Sequence, residues 1–357
     1  MLEARGAIRR LKEYHPPLGG RVGLRLDFNE NTVGCSPRVL ERLRQLQFDQ
    51  LARYPERESV ERQVASHLAG DSAGMLLTNG VDEAIHLICE TYLEPEDEVL
   101  IVVPTFSMYE IYAGATGAQV ITIPAGADFS YPTEHLLSRI SPCTRLIAIA
   151  NPNNPTGAVV RRDDLLRILR AAPDAAVLID EAYFDFYGDS MMAEVASLPN
   201  LFVARTFSKA YGLAGLRIGV LAGNTGQMAM VRRVSSPYNV NAVALACLPD
   251  ALADQDYIRQ YVSEVRQGRE RLEQELHALK LHFWPSRANF VLVKIGERHD
   301  AFVRAMRERG ILVRDRSRDP GCEGCVRISV GANAQTERLI AVLREVVRAL
   351  APAGATA

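Results

Sequence analysis

Short, nearly continuous apolar runs recur along the chain from about residue 75, each followed by a stretch with helical spacing. "MLLT" leads into "VDEAIHLICETYLE", "VLIVVP" into "FSMYEIYAGATG", "VITIP" into "TEHLLSRI", and "RLIAIANP" into "RRDDLLRILRAA", before "AAVLIDEAY" closes the series. A strand that is apolar on both sides must be covered on both sides, and strands separated by helices pair in parallel. The alternation predicts an α/β fold with a mostly parallel central sheet and helices on both faces.

Beyond "LFVARTFS" and "RIGVLAG" the pattern changes. "DYIRQYVSEVRQGRERLEQELHALK" has the spacing of one long bridging helix, and "NFVLVKI", "HDAFVRAMRERG", "ILVRD", "CVRISVG" and "AQTERLIAVLREVVRAL" read as a smaller α+β unit. At 357 residues the chain exceeds one average domain. The expected division is an N-terminal arm and part of the small domain over 1–40, a large domain over 41–250, and the bridging helix with a small C-terminal domain over 251–350. The small residues and proline of "APAGATA" (351–357) read as a flexible tail.

Forty-one Lys and Arg against 43 Asp and Glu leave a net charge of −2, so no global basic field is available for a nucleic-acid backbone or a membrane surface. A small-molecule partner is expected, with no nucleic acid and no membrane. No apolar run approaches the ~20 residues of a membrane span or reads as a signal peptide, and a cytoplasmic protein is expected. Six scattered cysteines are too sparse for a disulfide scaffold. "CEGC" (Cys322, Cys325) offers two metal-ligating thiols, but no second pair or histidine cluster completes a tetrahedral site. A loop with two thiols and no metal is expected.

Three polar groups each follow an apolar strand. Asp180 ends "AAVLID", at the strand edge where open α/β sheets bind ligands, although an aspartate there also serves as a turn cap. Asn154 lies in "NPNNPTG", a loop stiffened by prolines that bias their preceding residues towards extended conformations. Lys209 stands alone among small and apolar residues in "TFSKAYGLAGLRIG". A lysine is a poor nucleophile at neutral pH unless its pKa is lowered, and a cofactor aldehyde suits one held in a crowded pocket. Pyridoxal phosphate makes that demand, together with an acid for its pyridinium nitrogen and donors for its phosphate. Asp180 supplies the acid, and Thr206 and Arg217 flank the lysine. "TNGVDEAI" adds a helix start at which the Gly80 and Val81 amides suit an anion, unless Asp82 simply caps it.

The chain resembles the fold-type I pyridoxal-phosphate aminotransferases, and among them the histidinol-phosphate aminotransferases. The resemblance runs from "LDFNENTVGCSP" and "ARYPE" through "TNGVDEAI", "PTFSMYEIYA", "NPNNPTG", "DEAY" and "SKAYGLAGLRIG" to "VRD" and "VRISVG". It implies that Lys209 holds the cofactor covalently and shuttles the substrate proton, that Asp180 holds the pyridinium, and that Asn154 and Tyr183 bond the ring hydroxyl. It implies Phe106 on the ring face, and Thr206, Ser208, Arg217 and the Gly80 and Val81 amides on the phosphate. Tyr54 would reach the cofactor of a neighbouring subunit, so a homodimer with shared active sites is implied. Arg327 would bind the α-carboxylate of the amino-acid half-reaction, and Arg314 the substrate phosphate, with Asn154 lining the same pocket.

The reaction implied is amino transfer from histidinol phosphate, the amino donor, to 2-oxoglutarate, the 2-oxo acid, within histidine biosynthesis. Aromatic amino acid transamination and phospho-amino-acid decarboxylation stay open as alternatives. "NENTVGCSP" lacks the proline that usually follows the second asparagine, and "SSPYNVN" has serines where a basic residue or proline commonly precedes the tyrosine. Both departures bear on the substrate entrance. A transcription regulator would need a DNA-reading module, for which the residues before the first motif are too few. A dehydrogenase would need G-x-G-x-x-G after a strand, and the glycines of "GLAGLRIG" have other spacing.

Overall fold

The computed structural model describes residues 2–17, 19–68 and 74–350, so the tail over 351–357 lies outside the described residues. The chain forms β1 (Leu24–Arg25), β2 (Gly74–Thr78), β3 (Glu98–Val103), β4 (Gln119–Pro124), β5 (Thr144–Ala150), β6 (Ala176–Asp180), β7 (Leu201–Thr206) and β8 (Gly219–Gly223). Next come β9 (His282–Trp284), β10 (Phe290–Lys294), β11 (Ile311–Leu312), β12 (Arg314–Asp315) and β13 (Cys325–Ser329).

Strands β2 to β8 form one sheet of seven in the order β2-β8-β7-β6-β5-β3-β4. The helices expected from the spacing appear between them, Gly80–Tyr92 after β2, Met108–Thr116 after β3, Thr133–Arg139 after β4 and Arg162–Ala171 after β5. Only β8 runs antiparallel to its neighbours β2 and β7. It inserts between them, so Gly219 lies opposite both Thr78 and Thr206. Burial is complete at the centre of the sheet, where every residue of β6, β7 and β8 is buried, and lapses at the edge strand β4. Side chains alternate between two core clusters, one containing Val177, Ile179 and Val203, the other Leu178, Phe202 and Ala204, as coverage on both faces requires.

The long polar-apolar stretch is one helix, Gln255–Ala278. It leads to a second sheet, β12-β13-β10-β9, backed by the helices His299–Glu308 and Asn333–Leu350. The run "ILVRD" does not form one strand. Ile311 and Leu312 pair in parallel with Leu24 and Arg25, whereas Arg314 and Asp315 join β13. The N-terminal arm captures the first half, with the Leu24 amide donating to Gly310 O and the Leu26 amide to Leu312 O, both at 2.9 Å. The Ser329 amide then donates to Leu26 O, which fastens the arm to β13 as well. Cys325 opens β13 rather than lying in a loop, and both it and Cys322 are buried with Phe129 and Leu292.

Candidate active site

The carboxyl ends of β2, β6 and β7 and the turn after β7 supply one side of the site. Asp180, the last residue of β6, is 5 % exposed. Its Oδ2 accepts from the Tyr109 hydroxyl at 2.5 Å and its Oδ1 from the Ala182 amide at 2.9 Å. Burial pushes the Asp180 carboxyl up to about 6, and these two hydrogen bonds pull the other way. The group therefore titrates much closer to neutral pH than an ordinary carboxylate.

Lys209 lies three residues beyond the end of β7, and its Nζ donates to Phe28 O at 3.1 Å, 5.9 Å from the centre of the Tyr183 ring. The Tyr183 hydroxyl accepts from Asn29 Nδ2 at 3.0 Å, and Asn29 Oδ1 accepts from the Ser329 hydroxyl at 2.8 Å. The arm segment Asp27–Asn29 thus runs between the lysine and the small sheet.

Phosphate chemistry can be tested at the starts of β8 and of the helix Gly80–Tyr92. Gly80 has φ +72°, and a Cβ there would come within 2.6 Å of the Arg217 guanidinium. Arg217 donates to Asp82 Oδ2 at 2.8 Å, so Asp82 serves as counter-ion to the arginine, and no side chain caps the helix at Asn79. Thr206 Oγ1 accepts from the Ser208 amide, while Thr78 Oγ1 and Ser208 Oγ are buried with no partner among the described residues. A buried hydroxyl without a partner costs on the order of 1–3 kcal/mol. Hydroxyls, a guanidinium and a glycine that leaves room at a helix start fit a phosphate group.

The small sheet supplies the facing side. Arg314 and Arg327 are paired across the β12–β13 ladder. Arg327 is 5 % exposed and donates to Asn154 Oδ1 and, at 2.6 Å, to Asp27 O. Burial lowers its guanidinium to about 10, opposed by Tyr183 and reinforced by the charges of Arg316 and Arg314. Arg314 donates to the Tyr14 hydroxyl at 3.3 Å, and its guanidinium carbon lies 5.1 Å from the Phe28 ring centre. Arg314 Nη1 and Arg327 Nε are buried without partners among the described residues.

Most residues singled out in the sequence are brought together here. Lys209 and Tyr183 meet at Asn29 and Phe28, Asn154 meets Arg327, and Gly80 meets Arg217, with Val81 buried beside it. Phe106 packs edge-on against Tyr109 at 5.8 Å. Tyr54 is apart from the rest: it is 79 % exposed and stacked on Tyr238 at 4.3 Å. Sequence reasoning misses Tyr109 and Asn29. The first has a signal, since it follows Phe106 by three residues at the start of the helix Met108–Thr116; Asn29 lies within "LDFNEN", but its partners Tyr183 and Ser329 are 154 and 300 positions away and nothing local points to them.

The mostly parallel sheet covered on both faces, with Asp180 and Lys209 at or just beyond the carboxyl ends of its strands, is the architecture of the fold-type I α/β transferases. Residues 21–345 match the family described as aminotransferase class I and II, and the chain belongs to that family. It is 35% identical over 332 residues to the histidinol-phosphate aminotransferase of Geobacillus sp. (strain WCH70), covering 91% of this chain and 90% of that one. Against the histidinol-phosphate aminotransferase of Caldanaerobacter subterraneus the identity is 36% over 297 residues, covering 82% and 83%. The crystal structure of histidinol-phosphate aminotransferase from Sinorhizobium meliloti in complex with pyridoxal-5'-phosphate superposes with a TM-score of 0.87 at 27% identity, covering 98% of this chain and 99% of that chain. The protein is an aminotransferase. Among the described residues no helix is long and apolar enough to cross a membrane.

Proposed function

We propose that this aminotransferase holds pyridoxal phosphate on Lys209 and exchanges an amino group between histidinol phosphate and 2-oxoglutarate, in the cytoplasm. Supporting the substrate reading is the arginine pair: two guanidiniums with buried, unpartnered nitrogens sit across from each other on β12 and β13, and Arg327 shares the Asp27–Phe28 segment with Lys209. Such a pair suits an anion placed a short distance from the reacting carbon. The relatives named above carry the same activity in their names.

Bound at this site, the cofactor supplies an electron sink for the charge that develops when the α-proton leaves. Asp180 would balance the positive ring nitrogen, whose charge would favour the ionised carboxylate that burial disfavours. Tyr183 and Asn154 orient the ring hydroxyl, Phe106 covers the ring face, and Thr206, Ser208, Arg217, Gly80 and Val81 hold the phosphate. Lys209 would hold the cofactor through its Nζ and, as a free amine, would take up and return the substrate's α-proton. Arg327 holds the α-carboxylate of glutamate, and Arg314 the phosphate of histidinol phosphate.

The test is a comparison of amino donors with purified holoenzyme. Histidinol phosphate with 2-oxoglutarate should yield glutamate with a kcat/KM well above that for phenylalanine, and phosphothreonine should release no carbon dioxide. Preference for phenylalanine would transfer the reading to aromatic amino acids.

Tyr54, exposed on its own subunit, would complete the phosphate site of a second copy. Mixing Tyr54→Phe chains with Lys209→Ala chains should create heterodimers with one site in which both groups are wild type. An active monomer by light scattering would rule out shared sites.

A further inference from the structure

The β12–β13 hairpin carries a third guanidinium besides Arg314 and Arg327. The ladder continues one step past Asp315, where the Arg316 amide donates to Cys325 O at 3.0 Å. Side chains alternate along a strand, so Arg316 shares a face with Arg314 and with Arg327 opposite it. Its side chain is 14% exposed, and its Nε is buried with no partner among the described residues. Arg316 pairs with Asp319, whose carboxyl is raised by burial and lowered by the nearby charges of Arg316, Arg327 and Arg314.

Of the neighbouring carboxylates, Asp27 is paired with Arg21 through a two-pronged hydrogen bond, and Asp315 alternates to the opposite face of the strand from Arg314 and Arg316. Three arginines against Asp319 leave two positive charges in excess. A phosphate monoester carries about −1.5 to −2 at neutral pH, a carboxylate −1. Each of the three guanidiniums also has one buried nitrogen still to be bonded, and a phosphate offers three oxygens at its higher charge to meet them where a carboxylate offers two.

We propose that Arg316 is a specificity-determining residue, which with Arg314 and Arg327 forms a three-guanidinium pocket selecting a doubly charged phosphomonoester tail over a single carboxylate. Asp319 is the counter-ion that holds Arg316 in place and offsets one of the three charges. The inference rests on the phosphate-bearing donor proposed above and extends it to a residue outside the arginine pair.

The experiment uses holoenzyme of wild type, Arg316→Gln, Arg316→Lys and Asp319→Asn. KM and kcat are measured for histidinol phosphate, the glutamate half-reaction is followed by the cofactor's absorbance, and inorganic phosphate is titrated as a competitive inhibitor. Arg316→Gln should raise KM for histidinol phosphate about tenfold or more with a smaller change in kcat, weaken phosphate inhibition by a similar factor, and slow the glutamate half-reaction much less. Arg316→Lys should recover part of each loss, and Asp319→Asn should strengthen phosphate inhibition. Equal losses in both half-reactions would mark Arg316 as structural and overturn the proposal, as would unchanged phosphate inhibition in Arg316→Gln. If that variant does not fold, unchanged inhibition in Asp319→Asn overturns it. Failure of wild type to use histidinol phosphate would sink the donor reading, while dependence of phosphate inhibition on Arg316 would still uphold the pocket.

Discussion

The two sides of the active site are built differently. On the large-sheet side each charged group already has a partner: Asp180 with Tyr109 and the Ala182 amide, Arg217 with Asp82, Lys209 with Phe28 O. On the small-sheet side Arg314, Arg316 and Arg327 each keep a buried nitrogen unbonded. A surface that always holds the same group can be matched to it in advance. On the proposed reading the small-sheet side accepts a carboxylate and a phosphate in turn, and its spare charged donors suit both, whereas the large-sheet side leaves the neutral hydroxyls of Thr78 and Ser208 unpartnered. The contrast makes a general expectation: damage to the large-sheet side should impair both half-reactions alike, and damage to the small-sheet side should split them.

The largest effect belongs to Lys209. With Lys209 as the proposed covalent anchor and proton carrier, Lys209→Ala should lower kcat by about 10⁴-fold or more in each half-reaction, with no borohydride-reducible adduct at position 209. Unequal losses would break the contrast at its strongest point.

Asp180→Asn should come next, with kcat lower by about 10²–10³-fold in both halves, because the charge opposite the ring nitrogen is felt most where negative charge develops. This variant also has a pH signature. The folded carboxyl sits at about 6 against an ordinary 3.8, so between those values the folded protein binds more protons than the unfolded one. Stability of the cofactor-free protein therefore falls as pH rises across that window, a cost of about 2–3 kcal/mol once the group is ionised. Asp180→Asn apoprotein should melt above wild type at pH 7, and the gap should close as pH falls towards about 4. Wild-type affinity for pyridoxal phosphate should decline as pH drops through about 6, because protonation removes the charge that the ring cation needs.

Arg314→Ala tests the other side. Losing a charge-assisted contact of roughly 1.5–3 kcal/mol should lower kcat/KM for histidinol phosphate about tenfold to a hundredfold and affect glutamate less. Equal losses would mean that the small-sheet side serves both substrates in the same way, as the large-sheet side does.

The same two sides differ in how far the sequence reveals them. Asp180, Asn154 and Thr206 lie at or just beyond the ends of apolar strands, and the doubly covered sheet follows from those runs; the local pattern therefore brings the large-sheet side into view. The antiparallel insertion of β8 does not follow from "RIGVLAG", since direction is set by its neighbours in space. Nor does the split of "ILVRD", which depends on capture of Ile311 and Leu312 by residues almost three hundred positions earlier. Arg314 and Arg327 stand out only through family resemblance, because a strand arginine by itself reads as a solvated one. Asn29 and Arg316 acquire meaning only from partners that folding delivers.

Tyr109→Phe should have the smallest effect, and it probes whether the large-sheet side is matched as closely as its hydrogen bonds suggest. The substitution deletes one hydroxyl and keeps the ring that meets Phe106 edge-on. Asp180 Oδ2 loses its donor at 2.5 Å in a fully buried setting, and because that bond holds the carboxyl down, its pKa should climb above about 6. With cofactor bound, the ring cation keeps Asp180 ionised, so at pH 8 kcat should fall less than about tenfold, by similar factors in both half-reactions. In the acid range the deficit should widen, and the acid limb of cofactor binding should move to higher pH than in wild type. A limb that stays in place would show that Tyr109 positions the carboxylate without tuning its charge. A loss confined to one half-reaction would show that the large-sheet side also distinguishes between substrates.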